Sequence, residues 1–180
     1  MGRRNYIMDI TKHAFEAKRK HFEIKDEDLE KAAQFALMEA GEWSGAVKEL
    51  LKRGRFTRQI CVMLVYSIEI YLKAILMKKG INISKEKHCH EIYSMYKKLN
   101  DSEKKIIKDN IDSSVEHTDI EDNCIKIESF EKMLEFVSND FVNLRYNYEK
   151  YVNGEPIYTI KEFVLAVNEN CQKLAKSIIK

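Results

Sequence analysis

Three short runs in this chain hold side chains able to carry charge or move protons. Ser67, Glu69 and Lys73 lie inside an otherwise apolar stretch, residues 60–77. His88, Cys89, His90 and Glu91 follow a short loop, and Arg145, Tyr146, Asn147, Tyr148 and Glu149 lie late in the chain. Glu69 and Lys73 are four positions apart, which puts them on one helical face within pairing distance. Charges in apolar surroundings need such partners. Arg145 offers a planar fork suited to phosphate, and Tyr146, Tyr148 and Tyr151 offer rings on which bases stack. The plainer readings stand beside these. Arg145 with Glu149 fits an i,i+4 helix pair, Arg145 with Glu69 fits a buried pair that fixes helix register, and His90 fits a helix cap or loop-ordering role.

Imidazole is the side chain that titrates near neutral pH, so His88 and His90 are candidates for acid–base work. With Cys89 between them they also invite a metal reading. Neighbouring residues on a helix diverge, however. A closed zinc site wants four ligands, and only the distant His117 and Cys124 remain. No metal and no other cofactor is expected. A basic group, Lys48, Lys52, Arg53, Arg55 and Arg58, marks where phosphates would sit if RNA binds; as a solvated helix end it needs no ligand.

These groups must be positioned by helices. The chain has 180 residues with only 6 Gly and 1 Pro, too few turn formers for an all-β protein. Apolar spacing predicts helices over 26–40, 42–53, 57–79, 87–99, 102–114 and 129–151, with Gly41 breaking the first pair and Gly80 capping the third. Asn153, Gly154 and Pro156 are read as ending the long helix. Thr159 with Glu162 reads as a capping box opening the last one, with Tyr158 stapled onto Phe163. The apolar seams run through Phe130, Met133, Leu134, Val137, Phe141, Leu144 and Tyr148, and through Phe163, Val164, Val167, Cys171 and Leu174. Residues 115–125 read as a charged loop. The expectation is an all-α, up-and-down bundle of long helices with short flanking ones. Residues 1–25 form a partly ordered N-terminal segment and 26–180 a single domain.

Composition narrows the setting. The formal charge of +2 predicts no dominant steering field. The stretch 60–77 is at the lower length limit for a membrane span, but central charges at Glu69 and Lys73 argue against one. Four cysteines without redox or metal spacing, and an N-terminus lacking an apolar run, point to reduced thiols in a cytoplasm.

Taken in order, Ser-Ile-Glu-Ile-Tyr-Leu-Lys-Ala-Ile-Leu-Met (67–77), a Gly-ended loop, His90-Glu91, Ile-Tyr-Ser-Met-Tyr-Lys-Lys-Leu (92–99) and Phe-Val-Asn-Leu-Arg-Tyr-Asn-Tyr-Glu (141–149) resemble the HEPN superfamily. The resemblance covers roughly residues 55–175. It implies a HEPN-like helical bundle that dimerises, from a group in which many members are metal-independent RNases of toxin, antiphage and RNA-processing systems. Their motif is an Arg followed, four to six residues on, by a His. Arg145 matches the Arg; Lys150, Tyr151 and Val152 occupy the positions for the His. The resemblance therefore implies a homodimer that binds RNA or a nucleotide, with weak or no RNase activity. The cleft would be lined by Arg145, Tyr146, Glu149, Glu69, Lys73 and His90, with Lys52, Arg53, Arg55 and Arg58 as further phosphate contacts. Two alternatives remain. One is an active metal-independent endoribonuclease using Tyr151, His88 or His90 in place of the motif His. The other is a structural partner of a nucleotidyltransferase or of another protein in a defence or toxin–antitoxin system.

Overall fold

The computed structural model describes residues 24–54, 57–86, 88–111, 119–120, 125–126, 129–146 and 156–179; for residues 58, 119–120, 125–126, 140–146 and 156–160 it describes the backbone alone. Six α-helices are found among them: α1 (Leu29–Lys52), α2 (Thr57–Lys78), α3 (Ile92–Lys97), α4 (Asp101–Lys108), α5 (Phe130–Tyr146) and α6 (Pro156–Ile178). Single 3-10 turns at Asp26–Asp28 and Ile83–Lys85 flank the first two. The architecture is all-α. The one addition among the described residues is a minimal antiparallel ladder pairing Asp119 with Lys126 and Ile120 with Ile125, which, Lys126 apart, lies inside the stretch 115–125 expected to be a loop.

The centre of the bundle is α2. Its residues from Ile60 to Met77 are buried on nearly every face, because α1, α3, α5 and α6 all pack against it. By length and composition alone Gln59–Lys78 could cross a membrane, yet 78% of that apolar window is covered by the rest of the protein. α1 contributes a seam of Leu29, Ala33, Ala40, Ser44 and Val47. Small residues at Ala33, Ala40 and Ser44 let the two backbones approach closely. From the other side α6 presents Phe163, Val164, Val167, Cys171 and Leu174, the seam expected from its spacing. Phe130 bridges to it, with its ring 5.4 Å from Phe163 and 5.6 Å from Tyr96.

Four boundary expectations need correction. Gly41 does not break the first helix: α1 runs unbroken through Gly41 and Gly45. A helical Gly costs about 1 kcal/mol against Ala, less than the contact with α2 recovers, and the buried positions keep one phase across both glycines. The segment after the His turn is shorter than 87–99, spanning only Ile92–Lys97. Helix α4 also stops early, at Lys108 instead of 114; its start is fixed by a capping box, Asn100 accepting from the Glu103 N–H at 2.9 Å and Glu103 Oε2 from the Asn100 N–H at 2.9 Å. Thr159 does not open the last helix. α6 begins at Pro156, whose fixed φ and missing N–H suit the first helical position. The Tyr158 staple and the seam positions Phe141, Leu144 and Tyr148 lie outside the described side chains.

Candidate functional site

Glu69 sits on α2 at only 4% exposure. A carboxylate there must be compensated, and two groups do so. Lys73, one turn further along the same helix, donates from Nζ to Glu69 Oε1 at 2.6 Å. The order Glu before Lys is the favourable one for an i,i+4 pair, so the spacing read in the sequence is realised. The second group arrives from elsewhere: His90 Nδ1 lies 2.8 Å from the same oxygen.

The turn 88–90 explains how His90 reaches it. Cys89 is buried and Ile92 caps the core below it, which leaves His88 and His90 exposed on either side. Glu91, not His90, occupies the N-cap position of α3, with extended backbone and no capping bond from its side chain. His88 pairs through Nδ1 with Glu91 Oε1 at 2.6 Å, and Ser94 Oγ donates to Glu91 Oε2 at 2.8 Å. These bonds, Ser94's foremost, hold the Glu91 carboxyl below the usual carboxylate range.

A proton count orders the cluster. The Glu69 carboxylate only accepts, so at 2.8 Å the His90 Nδ1 carries the proton that it donates. Lys73 Nζ is 3.3 Å from the same ring nitrogen; two donors face each other there, and both bonds go to Glu69. Nε2 is then the ring nitrogen left for other work, on a side chain 69% exposed. The result is a solvent-facing imidazole fixed in tautomer and orientation by a buried carboxylate, beside an ammonium group. Such an arrangement can hold a phosphate when the ring is protonated, or accept a proton when it is neutral.

The other expected residues fall elsewhere. Arg145 and Tyr146 occupy the last turn of α5, their side chains outside the described atoms, as are Glu149, Tyr151 and Arg55 altogether. α5 is placed beside the histidine turn by its packing on α2 and α3 and by Ser138 Oγ, which accepts from the Tyr93 N–H at 3.3 Å. Lys52 and Arg53 are exposed at the end of α1, where Lys52 Nζ donates to Glu49 at 2.6 Å. Arg58 is in the first turn of α2, eleven positions before Glu69. At 1.5 Å per residue that is about 16 Å along the axis, so the basic group and the Glu69 cluster are separate features.

Ser67 leaves the group in which the sequence set it. Two residues from Glu69 is about 200° around a helix, and Ser67 donates instead to the Ala40 carbonyl at 2.9 Å. It belongs to a buried polar core joining α1, α2 and α6. There Ser44 Oγ lies 2.9 Å from Ser67 Oγ and 3.2 Å from the Tyr71 hydroxyl, and donates to Asn168 Oδ1 at 3.0 Å. Gln172 Nε2 donates to Tyr71 at 2.7 Å. Ser44, Asn168 and Gln172 were not singled out from the sequence; a polar residue in the phase of an apolar seam, as Asn168 is, was the available signal.

The described residues include no group of three or more His, Cys, Asp or Glu side chains able to hold a metal ion. Neither curated proteins nor solved structures give a match to the chain. A protein-family model, the HEPN domain, matches residues 33–179, a span running from the first turns of α1 to the end of α6. The chain belongs to the HEPN domain family.

Proposed function

We propose that this protein binds RNA or a nucleotide through a cleft in which His90, Lys73 and Arg145 contact phosphate. Glu69 would position the first two and Tyr146 would stack on a base. The carrying observation is the exposed His90 imidazole anchored on a carboxylate that is itself buried. A helix that only needed to neutralise Glu69 already has Lys73 for that. Family membership supports a nucleic-acid-related role. The reading includes a homodimer in the cytoplasm and a regulatory or binding role with weak or no RNase activity, consistent with Tyr151 and its neighbours standing where the family motif has His. Titration of a fluorescent single-stranded RNA at low salt is expected to show binding that weakens at least tenfold in Arg145→Ala and His90→Ala and falls with added salt. No binding at low salt, or binding that neither variant alters, would falsify it.

One observation favours the enzymatic alternative. Of the three substitutes for the motif His, His88 and His90 each rest Nδ1 on a carboxylate, and His90 is the one whose carboxylate is buried. If RNA is cleaved without metal, His90 is the acid–base group. Incubation with RNA in EDTA is the test; cleavage that His90→Ala leaves unchanged rejects this alternative.

A further inference from the structure

The outer face of α1, opposite the one buried on α2, carries Phe35 at 59% and Met38 at 63% exposure, the two most open of the large hydrophobic side chains among the described residues. They share one line with Lys31, Glu42 and Glu49, also exposed, at successive spacings of four, three, four and seven residues. That is the spacing of a seam which meets another helix lengthwise. The chain arrives where this face begins. Ile24 is pinned to the loop after α2, its N–H donating to Ser84 Oγ at 3.2 Å and its carbonyl accepting from Asn82 Nδ2 at 2.6 Å, five positions before α1 starts at Leu29. Residues 1–23 precede that point and lie outside the described residues. Their sequence has no Gly or Pro after Gly2, and Met8, Phe15 and Phe22 recur every seven positions.

We propose that the outer face of α1 is the docking surface for residues 4–22 of the same chain, lying on it as an antiparallel helix. Length supports that occupant. From residue 4 to 22 and from 31 to 49 are both eighteen steps, about 27 Å of helix, and the residues between them make a helix–helix connection of ordinary length. The register follows from that short connection. With Phe22 beside the stem of Lys31, the stem of Lys18 lies along Phe35, Phe15 meets Met38, and Arg4 opposes Glu49. Glu49 already accepts from Lys52, and a carboxylate has room for a second donor. Charge supports the same occupant. Residues 1–23 hold six Lys or Arg against three Asp or Glu, whereas the line on α1 holds two Glu against one Lys. Two large apolar side chains make a small face for a free partner. A tethered segment meets them at an effective concentration on the order of millimolar, so a small face suffices. The proposal is independent of the nucleic-acid reading of the Glu69 cluster.

Hydrogen exchange of the full chain, read by mass spectrometry at low-micromolar concentration, tests this. The amides of residues 7–20 are expected to exchange at least tenfold more slowly than in an unstructured chain. Phe15→Glu and Met38→Glu each remove most of that protection, while α2 keeps its own and so shows that the variants fold. Oxidation of the double variant Phe15→Cys, Met38→Cys links the two positions within one chain. The pair His13→Cys, Met38→Cys does not link, because position 13 lies on the far side of the proposed helix. Mixing labelled and unlabelled protein before oxidation distinguishes a link within one copy from a link between copies. Absence of protection overturns the proposal, as does protection that Met38→Glu leaves intact, or a link that forms only between copies.

Discussion

At the scale of single residues, the Glu69 cluster separates a scaffold role from a ligand role. Glu69 and Lys73 are largely withdrawn from water, with side-chain exposures of 5% and 23%. Removing the carboxylate charge leaves an ammonium group mostly covered and unpaired, which is costly. Glu69→Gln is therefore expected to lower stability by about 1–3 kcal/mol, read from the midpoint of urea unfolding. His90 stands mostly in solvent, and exposed substitutions usually shift stability by no more than about 0.5 kcal/mol. His90→Ala should therefore leave the midpoint nearly unchanged while weakening nucleic-acid binding. Equal losses of stability in the two variants would make the imidazole part of the scaffold and remove the reason for assigning it a ligand.

At the scale of elements, the glycines divide by backbone conformation. Gly41 and Gly45 are helical, and a Cβ at either meets nothing within 4 Å. Alanine at each should raise stability by about 0.5–1 kcal/mol, since it reduces the freedom lost on folding. Gly80 is the opposite case. Its φ is +80°, and it closes α2 with paired bonds, Ile81 N–H to Leu76 O and Gly80 N–H to Met77 O, both at 2.9 Å. Gly80→Ala should cost about 1–2 kcal/mol. Thermal melts of the three variants test the contrast. The same residues show what the sequence could disclose. The stop at Gly80 and the extent of α2 were legible, because a Gly after an apolar run both ends the pattern and fits the left-handed position. The Glu69–Lys73 pair was legible from spacing alone. The continuity of α1 was not, because whether Gly breaks a helix depends on the partner packed against it. Nor was the start of α6, since Pro marks the end of one helix and the first turn of the next equally well. The arrival of His90 at Glu69, across twenty-one residues of chain, follows from tertiary packing that no local pattern carries.

At the scale of the whole molecule, exposed carboxylates tie together segments that the core joins only loosely. Asp26 accepts from Asn82 Nδ2 at 2.7 Å and from Lys85 Nζ at 2.9 Å, fastening the turn before α1 to the loop after α2. Those bonds, Asn82's first, draw its acidity below the ordinary value. Glu91 is lowered in the same sense within the histidine turn. Glu131 on α5 is pushed upward by burial, but the hydrogen bond from Lys108 of α4, a backbone hydrogen bond and the charges of Lys108 and Lys104 together outweigh this, and its net shift is downward. A carboxyl whose folded pKa lies below its unfolded one contributes stability above the unfolded value and loses it as pH falls through the folded one. With unfolded values near 4, stability should be level from pH 8 to 6 and decline below about pH 4. The decline should be gradual, because these groups are solvent-exposed and their pairs are worth little each. Asp26→Asn should flatten part of that slope, because the amide has no proton to gain and its loss of affinity for Lys85 is already present at neutral pH. Urea midpoints at pH 7 and pH 3 for both proteins measure the difference. A wild-type midpoint that rose on acidification would mean that the surface clasps do not govern its acid response.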